Sequence, residues 1–175
     1  MEINIKIEQI NHHHIEALQQ IGRQTFSETF AESNSAENMA KYLEEAYSFE
    51  KLNEEINNPN SFFYFAMLDE KVIGYLKLNL GGSQTELKDN DALEIERIYV
   101  LKEFHEKSVG QLLYNQSIKI ARQKNMDYVW LGVWEENPRA IHFYKKNGFV
   151  EFDKHIFKLG NDEQTDIMMK LKLNN

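Results

Sequence analysis

Two glutamates stand where a buried strand is expected. Glu94 and Glu96 alternate on one face of the segment 93–100, whose β-branched and aromatic residues read as a strand. A carboxylate in such a place costs desolvation energy unless it is paired or put to use, and one use is proton transfer. The alternative is a salt bridge or surface network. Strand alternation puts Glu96 and Arg97 on opposite faces, which argues against that particular pair. A second chemical feature follows. The segment His105–Glu106–Lys107–Ser108–Val109–Gly110 leads into a helical pattern. A turn feeding a helix N-terminus exposes unpaired N–H groups at the positive end of the helix dipole, a ready site for phosphate. Neither a Walker lysine pattern nor GxGxxG is present, which argues against nucleoside triphosphates and NAD.

The elements around these residues can be read from periodicity. Val109, Leu112, Leu113, Gln116, Ile120 and Ala121 recur at helical spacing, and the segment 125–127 ends that helix. The nearly continuous apolar run 128–134 reads as a strand buried on both faces. Asn137 caps a second helix with Pro138 at its first position, and Gly148 stops it in the left-handed conformation. The order strand, loop, helix, strand, helix makes the two strands parallel neighbours through a right-handed crossover.

This stretch resembles the core of the GCN5-related N-acetyltransferases (GNATs). Their pyrophosphate loop, Q/R-x-x-G-x-G/A, aligns with residues 105–110, with His105 in place of Gln or Arg and Ser108 in place of Gly. Their N-x-x-A-x-x-F-Y-x-x-x-G-F element is matched by Asn137, Ala140, Phe143, Tyr144, Gly148 and Phe149. The segments NSAENMAKYLEEAY (34–47), LEIERIYV (93–100), WLGVWEENPRAIHFYKKNGF (130–149) and GNDEQTDIMM (160–169) are further similar to bacterial spermidine/spermine N-acetyltransferases of the PaiA type.

The resemblance implies an α/β (α+β) GNAT fold. One mixed, mostly antiparallel sheet has a central parallel pair and helices on both sides, forming one domain over 1–175. It implies acetyl-CoA as co-substrate and direct acetyl transfer to a primary amine in a ternary complex. The backbone of Ile98, Tyr99 and Val100, on a strand that splays from 128–134, would hold the pantetheine and acetyl oxygen, with the Val100 N–H as oxyanion donor. Backbone N–H groups of 105–110 would hold the pyrophosphate, Lys107 would add charge, and His105 is either a phosphate donor or a solvated histidine. Ser108 suits that loop if its φ is negative and weakens it if φ must be positive. Asn137 would bond the pantetheine arm, cap its helix, or do both. Tyr144 would protonate the leaving thiolate, unless it is only a core tyrosine. Glu94, aligned with the base of the histone-acetylating relatives, or Glu96 would act as general base through water.

Composition sets the outer limits. The 175-residue chain carries a formal net charge of −8 and no cysteine. Acidity disfavours nucleic acid and suits a small cationic amine such as a polyamine, although solubility alone explains it equally well. Disulfides, thiolate metal sites and a cysteine acyl-enzyme are excluded. With no membrane-length apolar run and no signal-peptide pattern, the expected location is cytoplasmic, away from any membrane. His12, His13 and His14 point in different directions and read as surface, so no metal is expected.

Ile3, Ile5 and Ile7 alternate as a first strand. Helices are marked by Ile15 to Phe30, by Ser35 onward and by Ser48 onward. Their acids Glu28, Glu32, Glu37, Glu44, Glu45, Glu50, Glu54 and Glu55 read singly as helix surface and together as counter-charges for a polyamine. The segments 61–68 and 72–80 form a hairpin, the polar loop 81–91 borders the acceptor site, and 149–159 and 164–173 are the last strands. The acceptor stays open to an amino acid, a peptide N-terminus or an aminoglycoside. A coenzyme-binding regulator with little catalysis is the other class. Many GNATs pair as homodimers, but no residue marks an interface here.

Overall fold

In the computed structural model, residues 4–173 are described. Ile3, assigned to the first strand, lies outside them. Seven strands form one sheet in the order β1-β2-β3-β4-β5-β7-β6. They are β1 (Ile5–Gln9), β2 (Ser61–Leu68), β3 (Lys71–Leu80), β4 (Ala92–Val100), β5 (Tyr128–Trp134), β6 (Val150–Leu159) and β7 (Asp162–Lys172). Only β4 and β5 run parallel, joined through the crossover helix α4 (Val109–Gln123). The expected mixed sheet is therefore present.

Helices α1 (Ile15–Phe30), α2 (Ala36–Ala46) and α3 (Phe49–Ile56) cover one face of the sheet. There the Tyr47 hydroxyl meets that of Tyr75 on β3, 3.2 Å away. Helix α4 covers the other face, where Leu113 lies against Gly74, the residue before Tyr75. Helix α5 (Pro138–Lys146) packs beside α4 through Phe143 and Tyr114. The buried face of α1 is Ile15, Leu18, Ile21, Gly22, Thr25, Phe26 and Phe30, the set its periodicity marks. Ser35, Ser48 and Asn137 cap their helices by accepting a backbone N–H. Gly148 is left-handed, with φ +97°. No helix among the described residues is long and apolar enough to cross a membrane.

Two irregularities of the central strands shape everything that follows. The parallel ladder runs from Ala92↔Tyr128 to Ile95↔Leu131 and stops. Beyond it β4 stays with β3 as far as Val100, and β5 stays with β7 as far as Trp134. The strands thus part between Ile95 and Val100. At the same point β4 carries a bulge. Lys77 pairs with Arg97 and Leu78 with Ile95, so Glu96 is an extra residue. A bulge bends its strand and interrupts alternation. That overturns the opposite-face expectation: Glu96 and Arg97 lie together, with Arg97 Nε 3.1 Å from Glu96 Oε2.

Gly22 shows how tightly the helical layer is set on this frame. A Cβ there would come within 2.5 Å of the Tyr47 ring, which is buried. Gly22→Ala should gain about 1 kcal/mol of helix propensity and lose about 1–3 kcal/mol to overpacking. The expected outcome, read from urea unfolding, is a net loss of stability.

Candidate active site

Two cavities meet at the parted strands, and both are lined by Tyr99 and Trp134. The larger, about 760 Å³, runs between the end of β4, the start of α4 and the side of α5. Ile98, Tyr99, Val100, His105, Glu106, Ser108, Gly110, Asn137, Ala140 and Tyr144 all line it. Lys107 and Val109 do not: Lys107 is exposed, and Val109 is fully buried in the core. Lys102, Arg139 and Lys146 face this cavity instead and supply positive charge.

The loop geometry decides the open question at Ser108. Its φ is +62° and ψ 18°, the left-handed conformation glycine adopts freely. A serine there costs about 1–2 kcal/mol of backbone strain. In that shape the first helical bond runs from Leu112 N–H to the Ser108 carbonyl, 3.2 Å. The N–H groups of Val109, Gly110 and Gln111 precede it and open the helix, as an anion site requires. A Cβ at Gly110 would meet nothing within 4 Å, so the mouth of the loop is open.

His105 is engaged from within. Its Nε2–H donates to the Val100 carbonyl at 2.8 Å, while its own carbonyl accepts from Arg139 at 3.1 Å. Partial burial, then the nearby Arg139 charge, lowers the imidazole pKa and favours the neutral ring. The side chain therefore braces the end of β4 against the loop. Tyr144 is buried, and among the described residues nothing hydrogen-bonds its hydroxyl. Burial, and to a lesser degree Tyr114, raises its pKa, so the phenol keeps its proton at neutral pH. Asn137 Oδ1 accepts the Ala140 N–H at 3.2 Å, the capping role.

The smaller cavity, about 330 Å³, lies on the other side of Tyr99 and Trp134. Phe26, Phe30, Tyr42, Tyr47 and Phe157 give it aromatic walls, and Glu86, Glu94, Glu96 and Asp166 bring carboxylates. Loop 81–91 borders it through Thr85 and Glu86. That loop is anchored by Gln84 Oε1, which accepts from Trp130 Nε1 at 2.7 Å, and by Asp89 Oδ2, which accepts from the Tyr128 hydroxyl at 2.7 Å. His155 of β6 lies 2.5 Å from Glu86 and ties the loop to the far strand.

The two strand glutamates have different surroundings. Glu96 is locked in a buried network: Lys77 Nζ at 2.9 Å, Arg97 at 3.1 Å and Asn79 Nδ2 at 3.0 Å. Glu55 of α3 closes the network, 3.3 Å from Lys77 and 3.1 Å from Arg97. Burial acts to raise the Glu96 pKa, but Arg97 and Lys77 outweigh it and hold the group below its usual range. Glu94 has no cation beside it. It accepts from Asn79 Nδ2 (2.9 Å), the Thr85 N–H (2.9 Å) and the Thr85 hydroxyl (2.5 Å). Burial outweighs those bonds and raises its pKa.

Of the helical acids expected as counter-charges, only Glu55 reaches this cavity, already paired; Glu28 faces the larger one. Amphipathic helices turn their charges to water, and the chamber takes its carboxylates from strands and a loop. Among the described residues no group of three or more His, Asp or Glu side chains converges as a metal site. Asp166, Arg139, Lys102 and Trp134 had no assigned role in the sequence reading. Asp166 could have been suspected, because Gln164, Asp166 and Met168 alternate on one face of a strand.

A groove with a helix N-terminus and parted strands meets an acidic chamber at Tyr99 and Trp134, an arrangement able to seat an anionic ligand beside a second one. The acetyltransferase (GNAT) family model matches residues 16–149, and the chain belongs to that family. It is 42% identical over 169 residues to an uncharacterized N-acetyltransferase of Lactobacillus delbrueckii subsp. lactis, covering 97% of this chain and 98% of that protein. It is 28% identical over 174 residues to the spermidine N(1)-acetyltransferase of Thermoplasma acidophilum, covering 97% and 98%. The crystal structure of PaiA N-acetyltransferase from Thermoplasma acidophilum, in complex with coenzyme A, superimposes with a TM-score of 0.80 at 28% identity. That match covers 97% of this chain and 99% of that one.

The strained residue gives a test in both directions. Ser108→Gly should raise stability by about 0.5–1 kcal/mol, and Ser108→Val, β-branched at positive φ, should lower it by at least about 1 kcal/mol. Chemical denaturation of the two variants reads both signs.

Proposed function

We propose that this N-acetyltransferase transfers the acetyl group of acetyl-CoA to a primary amine of a polyamine, with spermidine and spermine the favoured acceptors. The observation that carries this reading is the joining of two unlike cavities at Tyr99 and Trp134. One has a free helix N-terminus flanked by Lys102, Arg139 and Lys146, which suits phosphates. The other has aromatic walls and carboxylates, which suit an alkyl chain bearing ammonium groups. The spermidine-acetylating relative supports the acceptor class.

Each part of the site then has a task. The N–H groups at the start of α4 hold the pyrophosphate. The backbone of Ile98, Tyr99 and Val100, released from β5 by the splay, holds the pantetheine and receives the acetyl oxygen as it gains charge. Tyr144, protonated and facing the donor cavity, gives its proton to the departing thiolate. Without a cysteine in the chain no thiol acyl-enzyme forms, and the amine attacks the thioester directly.

The amine must first lose a proton. With a pKa near 10.4, about one in 10³ is neutral at pH 7, equivalent to a barrier of about 4–5 kcal/mol. A chamber carboxylate offsets this. Of the strand pair, Glu96 is bound to two cations, which leaves Glu94 as the member able to serve.

Two measurements test the reading. Thiol release with spermidine, spermine, putrescine, lysine, a short peptide and an aminoglycoside should show kcat/KM at least tenfold higher for the first two, about 1.4 kcal/mol. A preference for lysine or the peptide would refute the polyamine assignment. Tyr144→Phe should lower kcat by about 10²-fold or more with unchanged acetyl-CoA affinity. An unaltered kcat would remove the phenol from the chemistry.

A further inference from the structure

Beyond the strand pair, one carboxylate of the acceptor chamber is left without a hydrogen bond, and His155, its cross-strand neighbour on β6, acts on it through charge alone. Asp166 on β7 is half-buried, lines the chamber, and makes no hydrogen bond or ion pair through its carboxylate among the described residues. Its place is specific. It is cross-strand from Trp134, one of the two residues shared by the cavities. Its carboxylate leans over Gly132: a Cβ on that glycine would lie 3.5 Å from Asp166 Oδ2. Gly132 is the first residue of β5 beyond the last rung to β4, Ile95↔Leu131. The missing side chain therefore leaves a gap between Asp166 and the opening where the strands part. An unpaired carboxylate in an aromatic chamber lowers stability, and such a cost persists where function needs it.

We infer that Asp166 is the catalytic base, receiving the proton of the acceptor's ammonium group at the gap beside Gly132. The inference rests on the acetyl-transfer reading and gives the base role to Asp166 in place of Glu94. The ammonium N–H bond breaks and its proton passes to an Asp166 carboxylate oxygen. The freed nitrogen lone pair bonds to the thioester carbonyl carbon. As the C–S bond breaks, its electron pair leaves on sulfur, which takes the Tyr144 proton. The new amide nitrogen then gives its second proton to the Tyr144 phenolate, and Asp166 releases its own to solvent.

The electrostatics fit this task better than those of the neighbouring acids. Burial pushes the Asp166 carboxyl up to about 6, partly opposed by His155, so it is ionised yet basic at neutral pH. The charged groups lining the same chamber are Glu55, Glu86, Glu94, Glu96, Arg97 and His155. Glu55, Glu96 and Arg97 neutralise one another with Lys77, Glu86 is taken by His155, and Glu94 already accepts three hydrogen bonds. The phenols of Tyr42, Tyr47 and Tyr99 stay neutral because burial raises them.

The test uses the best amine of the panel and compares Asp166→Asn with Glu94→Gln. In the unaltered enzyme kcat/KM should rise through pH of about 6 as Asp166 ionises, then level off below the amine's own pKa near 10. Asp166→Asn should lower kcat by about 10²-fold or more and abolish the rise, while calorimetric coenzyme affinity is unchanged. Its stability should exceed that of the parent at pH 7 and match it below about pH 3, where the carboxyl is protonated folded and unfolded alike. Retention of the rise in Asp166→Asn and its loss in Glu94→Gln would assign the base to Glu94 and overturn the inference. A higher KM with unchanged kcat would make Asp166 an ammonium anchor and also overturn it. Turnover only of an acceptor other than a polyamine would refute the acceptor class while leaving this comparison intact. No turnover of any amine would overturn both.

Discussion

One extra residue in β4 sets the geometry of the whole site. The sheet is regular up to the rung Ile95↔Leu131, and there Glu96 bulges from the ladder with β3. A bulge bends its strand, and here the bend coincides with the parting of β4 from β5. Regular parallel strands would satisfy one another's N–H and C=O groups along their length and close the sheet. The irregularity leaves backbone groups of 96–100 without that partner, between two cavities. It also turns Glu96 and Arg97 to the same side, where they join Lys77 and Glu55.

That buried network fastens layers that are far apart in sequence. Glu55 belongs to α3, Lys77 to β3, and Glu96 and Arg97 to β4. Arg97 also lies over the Tyr47 ring, 5.2 Å from its centre, and Tyr47 fills the space beside Gly22 of α1. The aromatic chamber therefore stands on a charged base rather than on apolar packing alone. Burying four charges together is costly, and removing any one strands the others without compensation. The chamber floor is thus held to one arrangement.

Much of this was legible in the sequence, for physical reasons. Helix faces, caps at Ser35, Ser48 and Asn137, and the stop at Gly148 are local effects, and local residues determine them. The loop and the Asn137–Phe149 element are contiguous, so much of the larger cavity could be named from them, although Lys107 and Val109 do not line it and Lys102, Trp134 and Arg139 do. The acceptor chamber is different. Its walls come from α1, α2, α3, loop 81–91 and the four strands β4 to β7, and no short stretch holds them together. Strand alternation failed at Glu96 and Arg97 because a bulge has no sequence signature of its own. The helical acids read singly as helix surface, but the group reading as counter-charges failed, because their number says nothing of their direction. The departure at Ser108 was visible, but the sign of its φ was not.

The shared wall of the two cavities has a thermodynamic meaning. Tyr99 and Trp134 each present a surface to both sides, so a molecule seated on one side restricts the rings that the other must meet. Two occupants that share a wall have linked affinities. Whatever factor an occupant of one cavity imposes on the dissociation constant of an occupant of the other is returned in full, because the four-state cycle must close. Two aromatic side chains held by packing rather than by covalent linkage make the partition a place where the two equilibria exchange free energy.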